Sequence, residues 1–89
     1  MTWTIRLSER AHHDLSRLDH QIARRIYRFL FVRLSALEDP RSIGEALRGS
    51  KLGEYWKYRI GDYRLICRIE DDRLVVLVVR VGYRRDVYR

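Results

Sequence analysis

KYRIGDYRLICRIEDDRLVVLVVRVGYRRDVYR, residues 57–89, decides the fold. It divides into β-strand patterns punctuated by two short turns. Tyr55 to Ile60 is the first strand pattern, Gly61-Asp62 is a tight turn, and Tyr63 to Glu70 is the next. Asp71-Asp72 turns the chain again, and Arg73 to Val81 follows. Gly-Asp between two alternating segments is close to the hairpin signal, so consecutive strands should pair antiparallel. Side chains on a strand alternate between faces. Tyr63, Leu65, Cys67 and Ile69 therefore share one side, with Trp56, Tyr58 and Ile60 of the preceding strand. The same count places Val75, Leu77, Val79 and Val81 inward and Leu74, Val76, Val78 and Arg80 outward. The opposite, open face then carries Lys57, Arg59, Arg64, Arg68 and Arg80, and the tail adds Arg84, Arg85, Tyr88 and Arg89. That much positive charge on one face suits a negative partner.

Upstream the period changes. Trp3 to Leu7 alternates as a short strand, and Ser8 is an N-cap followed by Glu9 in the first helical turn. The helix runs to about Leu18, with Ala11, Leu15 and Leu18 on one face. Asp19 caps a second helix, about His20 to Leu37. There Ile22, Ile26, Phe29, Leu30, Leu34 and Leu37 recur at three- and four-residue spacing. Arg24, Arg25, Arg28 and Arg33 form its solvated face. Glu38-Asp39-Pro40 ends it, since the residue before proline resists helix. Arg41 to Glu54, punctuated by Gly44, Gly49 and Gly53, reads as a loop. The order β-α-α-β-β-β predicts an α+β fold. It has an N-terminal strand, a helical hairpin and a three-stranded antiparallel meander, with the helices on one face of a small sheet.

Composition narrows the class. Residues 1–89 make one small domain with a modest core. The net charge is +7, and of 19 basic residues only Lys51 and Lys57 are lysine, so 17 are arginine. Arginine makes planar, bidentate contacts with phosphate and stacks on bases. Cys67, the single cysteine, excludes an internal disulfide and a cysteine zinc site, and its place in an apolar alternation reads as core. A reduced, cytoplasmic setting fits. The longest apolar run, Leu74 to Val79, has the length of a strand and not of a membrane span. His12, His13 and His20 fall on the helices, away from the basic sheet. Asp71 and Asp72 are turn residues, and neither a metal nor a cofactor is expected.

With these residues set out, the chain resembles the RelE group of the RelE/ParE toxin superfamily. The resemblance is carried by LRG at Leu47 to Gly49, by YWKYRIGDYRLICRI and by VVLVVRVGYRRDVYR. It implies a toxin of a type II toxin–antitoxin module that enters the ribosomal A site and cuts messenger RNA. It also implies a cognate acidic antitoxin of the RelB kind, with operator DNA bound only through that antitoxin. Carried over residue by residue, the resemblance makes Lys57, Arg64, Arg84 and Tyr88 the candidate catalytic set, with Arg85 a close rival to Arg84. The best-known members carry a lysine where this chain has Tyr55, which brings Lys51 into consideration. Some relatives use a glutamate as base, and Glu45 stands near that place. Arg59, Arg68, Arg80 and Arg89 would hold the RNA backbone. Cleavage by the RNA's own 2′-hydroxyl needs a base, charge neutralisation at phosphorus and an acid. Lys57 serves as base if neighbouring cations lower its pKa. The superfamily leaves two other functions open: a non-enzymatic DNA gyrase inhibitor of the ParE kind, and an inactive relative that only binds its antitoxin.

Overall fold

A computed structural model of the chain describes residues 2–47, 55–85 and 87. Within them lie β1 (Thr4–Leu7), α1 (Glu9–Ser16), α2 (His20–Arg28), β2 (Glu45–Ala46), β3 (Tyr55–Ile60), β4 (Tyr63–Glu70) and β5 (Val75–Tyr83). The strands form one sheet in the order β1-β5-β4-β3-β2. β3, β4 and β5 are the antiparallel meander expected from the two turns, whereas β1 runs parallel to β5 at one edge.

The caps form as the sequence indicates. Ser8 Oγ accepts the Ala11 N–H at 3.0 Å, and Asp19 Oδ2 accepts the Gln21 N–H at 3.0 Å. α2 does not continue as an ordinary α-helix to Leu37. Phe29–Arg33 forms a π-helical turn and Leu34–Ala36 a 3-10 turn. A step of four residues overshoots a helical turn of 3.6, and the wider π turn takes up the overshoot. Ile26, Leu30 and Leu34 thus all stay fully buried. With Ala11 and Leu15 of α1, they cover one sheet face through Tyr58, Leu65, Cys67, Val76 and Val78. Burial pushes the Cys67 thiol well above its usual pKa, so it stays protonated and unreactive.

Three local departures from the sequence reading matter. First, the segment read as a loop from Arg41 to Glu54 is ordered at its start, and residues 48–54 of it lie outside the described residues. Pro40–Ile43 is a 3-10 turn and Glu45–Ala46 pairs antiparallel with Lys57 and Trp56, giving a fifth strand. Gly44, between them, lies against Tyr58, whose hydroxyl donates to the Pro40 carbonyl at 2.8 Å. The Arg41 guanidinium also grips the Asp71 carboxylate at 2.9 and 2.6 Å. That hydrogen bond holds Asp71 below the usual carboxylate range.

Second, β5 starts at Val75 and not at Arg73. Asp71–Arg73 winds into a 3-10 turn closed by Leu74 in the left-handed region (φ 52°).

Third, the inward set expected for Val75, Leu77 and Val79 is inverted. Ile66 pairs with Arg80 and Cys67 with Val78, leaving Val79 as a bulge residue. The extra residue reverses the alternation. Val76 and Val78 face the helices before it, and Val81 faces them after it.

α1 finishes the edge that β1 leaves uncovered past Val78. The Ser8 N–H bonds the Val78 carbonyl at 2.9 Å and Ser8 Oγ bonds that of Val79 at 3.2 Å. Asp14 Oδ2 accepts the Val81 N–H at 2.9 Å and Arg80 Nε at 3.2 Å. Asp14→Ala strands that half-buried amide and should lower stability by about 2 kcal/mol, with Asp14→Asn losing less because its oxygen still accepts. A urea melt of the two variants checks this. Equal losses would show that the amide bond contributes nothing beyond the charge.

Candidate nucleic-acid interface

The face of the sheet turned away from the helices is built in rows, because residues paired across strands project to the same side. The row next to the β3–β4 turn holds Arg59, Arg64 and Gly82. The next holds Glu45, Lys57, Ile66 and Arg80, and the third Tyr55, Arg68, Leu77 and Arg6. The open face therefore gathers Lys57, Arg59, Arg64, Arg68 and Arg80, as the alternation predicts. Arg6 joins it, and the sequence does not reveal this because a four-residue strand carries no mark of the partner it will pair with.

Arg59 and Arg64 sit directly opposite one another, where Cβ atoms are about 5 Å apart and like charges repel. The repulsion is relieved from one side. The Arg64 guanidinium donates to the carbonyls of Gly61 (3.1 Å) and Tyr63 (3.0 Å), so it is held at the hairpin turn. Gly61 adopts φ 59°, which glycine accepts without strain. The same turn holds the start of the tail. The Arg84 N–H donates to the Asp62 carbonyl at 2.9 Å, and the Arg84 guanidinium lies 6.0 Å from the Tyr83 ring centroid. Val87 turns back through its N–H to the Tyr83 carbonyl and is buried near Gly82. One turn, Gly61-Asp62, thus fixes both Arg64 and the backbone at Arg84. Arg85 follows, exposed.

Lys57 Nζ lies 3.8 Å from Glu45 Oε2. These two candidates are twelve positions apart in the chain, and β2 brings them together across one strand pair. A carboxylate and an ammonium in one place offer both a proton acceptor and a donor. Lys57 and Arg68 make further contacts beyond these. Arg80 is engaged by Asp14 as described, so it serves the edge of the sheet as well as its charge. Lys51, Tyr88 and Arg89 lie outside the described residues, as do residues 48 and 49 of the LRG segment. His12, His13 and His20 are exposed on α1 and α2, and His20 Nε2 is 3.2 Å from Arg24. Among the described residues, no group of three or more His, Cys, Asp or Glu side chains is arranged to hold a metal.

Residues 5–88 match the family model described as the ParE toxin of the type II toxin–antitoxin system parDE. The toxin RelG of Mycobacterium tuberculosis is 36% identical over 89 residues, covering 100% of this chain and 99% of the relative. The toxin RelE of the same organism is 32% identical over 85 residues, covering 96% and 84%. Among solved structures, the RelBE2 toxin–antitoxin complex of M. tuberculosis superposes with a TM-score of 0.84 at 34% identity, over 97% of this chain and 95% of that one. The intact RelBE complex of E. coli gives 0.70 at 26% identity, over 91% and 95%. With likeness along the whole chain and the same arrangement of helices on a mixed sheet, the chain belongs to the RelE/ParE superfamily of type II toxin–antitoxin toxins, within its RelE group.

Proposed function

We propose that this toxin is a ribosome-dependent endoribonuclease, an mRNA interferase that cuts messenger RNA in the ribosomal A site. The observation that carries the reading is the opposition of Arg59 and Arg64 beside the Lys57–Glu45 pair, on a sheet face the helices leave uncovered. Like charges placed face to face cost stability, and a phosphate between them removes the cost.

The 2′-hydroxyl attacks the adjacent phosphorus in line, the 2′-O–P bond forms and the P–O5′ bond breaks. Glu45 or Lys57 takes the 2′-hydroxyl proton. Arg64 and Arg84 offset the charge that develops on the phosphorane oxygens. If Glu45 is the base, the Lys57 ammonium protonates the leaving 5′-oxygen; if neutral Lys57 is the base, the ammonium it becomes passes that proton to the leaving oxygen. Tyr88 orients the 2′-hydroxyl or stacks on a base, and Arg59, Arg68, Arg80 and Arg89 hold the backbone. Lys51 and Arg85 stand as reserves for the basic positions. No metal or cofactor enters these steps. Without a histidine in the constellation, proton transfer is weak, so positioning of the RNA by the ribosome carries much of the rate. A cognate acidic antitoxin of the RelB kind neutralises the toxin and makes any operator DNA contact.

Primer-extension mapping of an mRNA in a purified translation system tests the reading. Cuts within A-site codons are expected only when ribosomes are present. Intact mRNA would overturn it. The ParE description of the family model then favours the second reading, a non-enzymatic gyrase inhibitor, and a supercoiling assay decides for that one.

A further inference from the structure

β2 is two residues long, and both Glu45 and Ala46 are exposed, so no buried side chain of its own holds it on the sheet. Its place is set from just upstream. Gly44 alone stands between it and the Pro40–Ile43 turn, and four positions separate Arg41 from Glu45. The Arg41 guanidinium reaches from that turn to three places. It makes its two bonds to Asp71, at 2.9 and 2.6 Å, in the turn that joins β4 to β5. It lies 5.8 Å from the ring centroid of Trp56, the β3 partner of Ala46. It also returns to Asp39 Oδ1 at 3.4 Å. The backbone is tied in the same way. The Arg41 N–H donates to Asp39 Oδ1 at 3.0 Å, and the Arg41 carbonyl accepts the Gly44 N–H at 3.1 Å.

From this arrangement we propose that Arg41 and Asp71 are positioning residues: their clasp holds β2 in register and so keeps the Glu45 carboxylate facing Lys57. The Tyr58 hydroxyl pins the Pro40 carbonyl, a single point about which the turn can still pivot. A guanidinium fork bound through two nitrogens fixes orientation as well as distance. Its anchor, Asp71, directly follows β4, the middle strand of the sheet, which is paired on both sides. The clasp therefore ties a two-residue edge strand to the best supported strand of the molecule. Neither residue takes part in the chemistry. Glu45 Oε2 and Lys57 Nζ stand 3.8 Å apart, and a small shift of β2 separates them. The role of Glu45 rests on the cleavage reading above, whereas the hold on β2 does not.

The test uses Asp71→Asn, because Asp71 is exposed at the far end of the clasp and its substitution leaves Arg41, Glu45 and Lys57 in the chain. Amide hydrogen exchange of the full chain comes first. The Leu47 N–H donates to the Tyr55 carbonyl at 2.9 Å, just past β2. In the variant it should exchange about fivefold faster, the size expected from a partly exposed ion pair. The amides of Leu65 and Cys67 in β4 should keep their rates, and Asp71→Glu should restore that of Leu47. No change at Leu47 overturns the proposal. An equal rise at all three amides also overturns it, since that is a general loss of stability. Steady-state cleavage on programmed ribosomes follows. There kcat should fall by about threefold to fivefold, because Glu45 is in place for less of the time, and KM should not rise. Removal of a negative charge does not weaken the attraction of RNA. In the Glu45→Gln background, Asp71→Asn should subtract nothing further from the residual rate. A raised KM at constant kcat, or the same loss repeated on top of Glu45→Gln, overturns the proposal. Should the parent protein not cut mRNA at all, the cleavage reading falls, and the exchange at Leu47 still decides whether the clasp holds β2.

Discussion

Arg64→Ala is expected to lower ribosome-dependent mRNA cleavage by about a hundredfold to a thousandfold, the loss seen when one preorganised donor to a developing oxyanion is removed. The Arg64 side chain is tied to the Gly61 and Tyr63 carbonyls at the hairpin turn and takes no part in the buried core. Its removal should therefore change stability by no more than about 0.5 kcal/mol, the usual range for surface substitutions. Arg64→Lys should recover only part of the activity, because an ammonium supplies charge without the planar fork. Single-turnover cleavage on programmed ribosomes, read beside a thermal melt, separates the outcomes. Activity within a few-fold of the parent would remove Arg64 from the reacting centre. A lost activity with an unchanged melt and retained antitoxin binding is the pattern expected of a group that touches the phosphate.

The second large effect is on stability. Gly44→Ala places a Cβ 2.8 Å from Tyr58 Cε1 and 2.9 Å from Cζ, closer than side chains tolerate. Tyr58 has no room to yield. Its ring is buried against Phe29 and its hydroxyl is fixed to the Pro40 carbonyl. Overpacking of this kind costs about 3 kcal/mol, which in a domain of this size lowers Tm by roughly 15 °C. The double variant Gly44→Ala/Tyr58→Phe should not be rescued, because Cε1 and Cζ remain. Trimming the ring to valine should remove the clash at the expense of a cavity. A Tm within a few degrees of the parent for Gly44→Ala would mean that the backbone at Gly44 moves aside freely.

The segment from Gly44 to Lys57 shows what the sequence does and does not disclose. The alternation of Tyr55–Ile60 and Tyr63–Glu70, with Gly61-Asp62 between, is enough to pair β3 with β4 and to put Lys57, Arg59, Arg64 and Arg68 on the open face. Ser8 and Asp19 announce their helices because capping is a local property. β2 gives no such notice. Two residues have no period, and their strand state exists only through pairing with Lys57 and Trp56. For the same reason Glu45 is legible as a nearby carboxylate but not as the direct partner of Lys57. The parallel pairing of β1 with β5 joins opposite ends of the chain, and the bulge at Val79 depends on how α1 fills the edge. Both are decided by long-range contacts, and a count by twos along β5 misassigns the residues before the bulge. Leu74 in a left-handed conformation is likewise unreadable, since leucine there is a choice imposed by the turn around it.

The bulge has a consequence for how this chain can change over descent. Either side of Val79 the strand obeys opposite parity rules, so each half tolerates substitution only within its own frame. Loss of that single residue would join the two frames into one unbroken alternation, with Val78 still facing in, Arg80 out and Val81 in. What would go is the local bend and added twist of a bulged strand, and with it the placement of Arg80 and the Val81 amide against Asp14. A lineage can vary the arginines of the open face one by one, and could lose the extra residue without turning any of them to the other side.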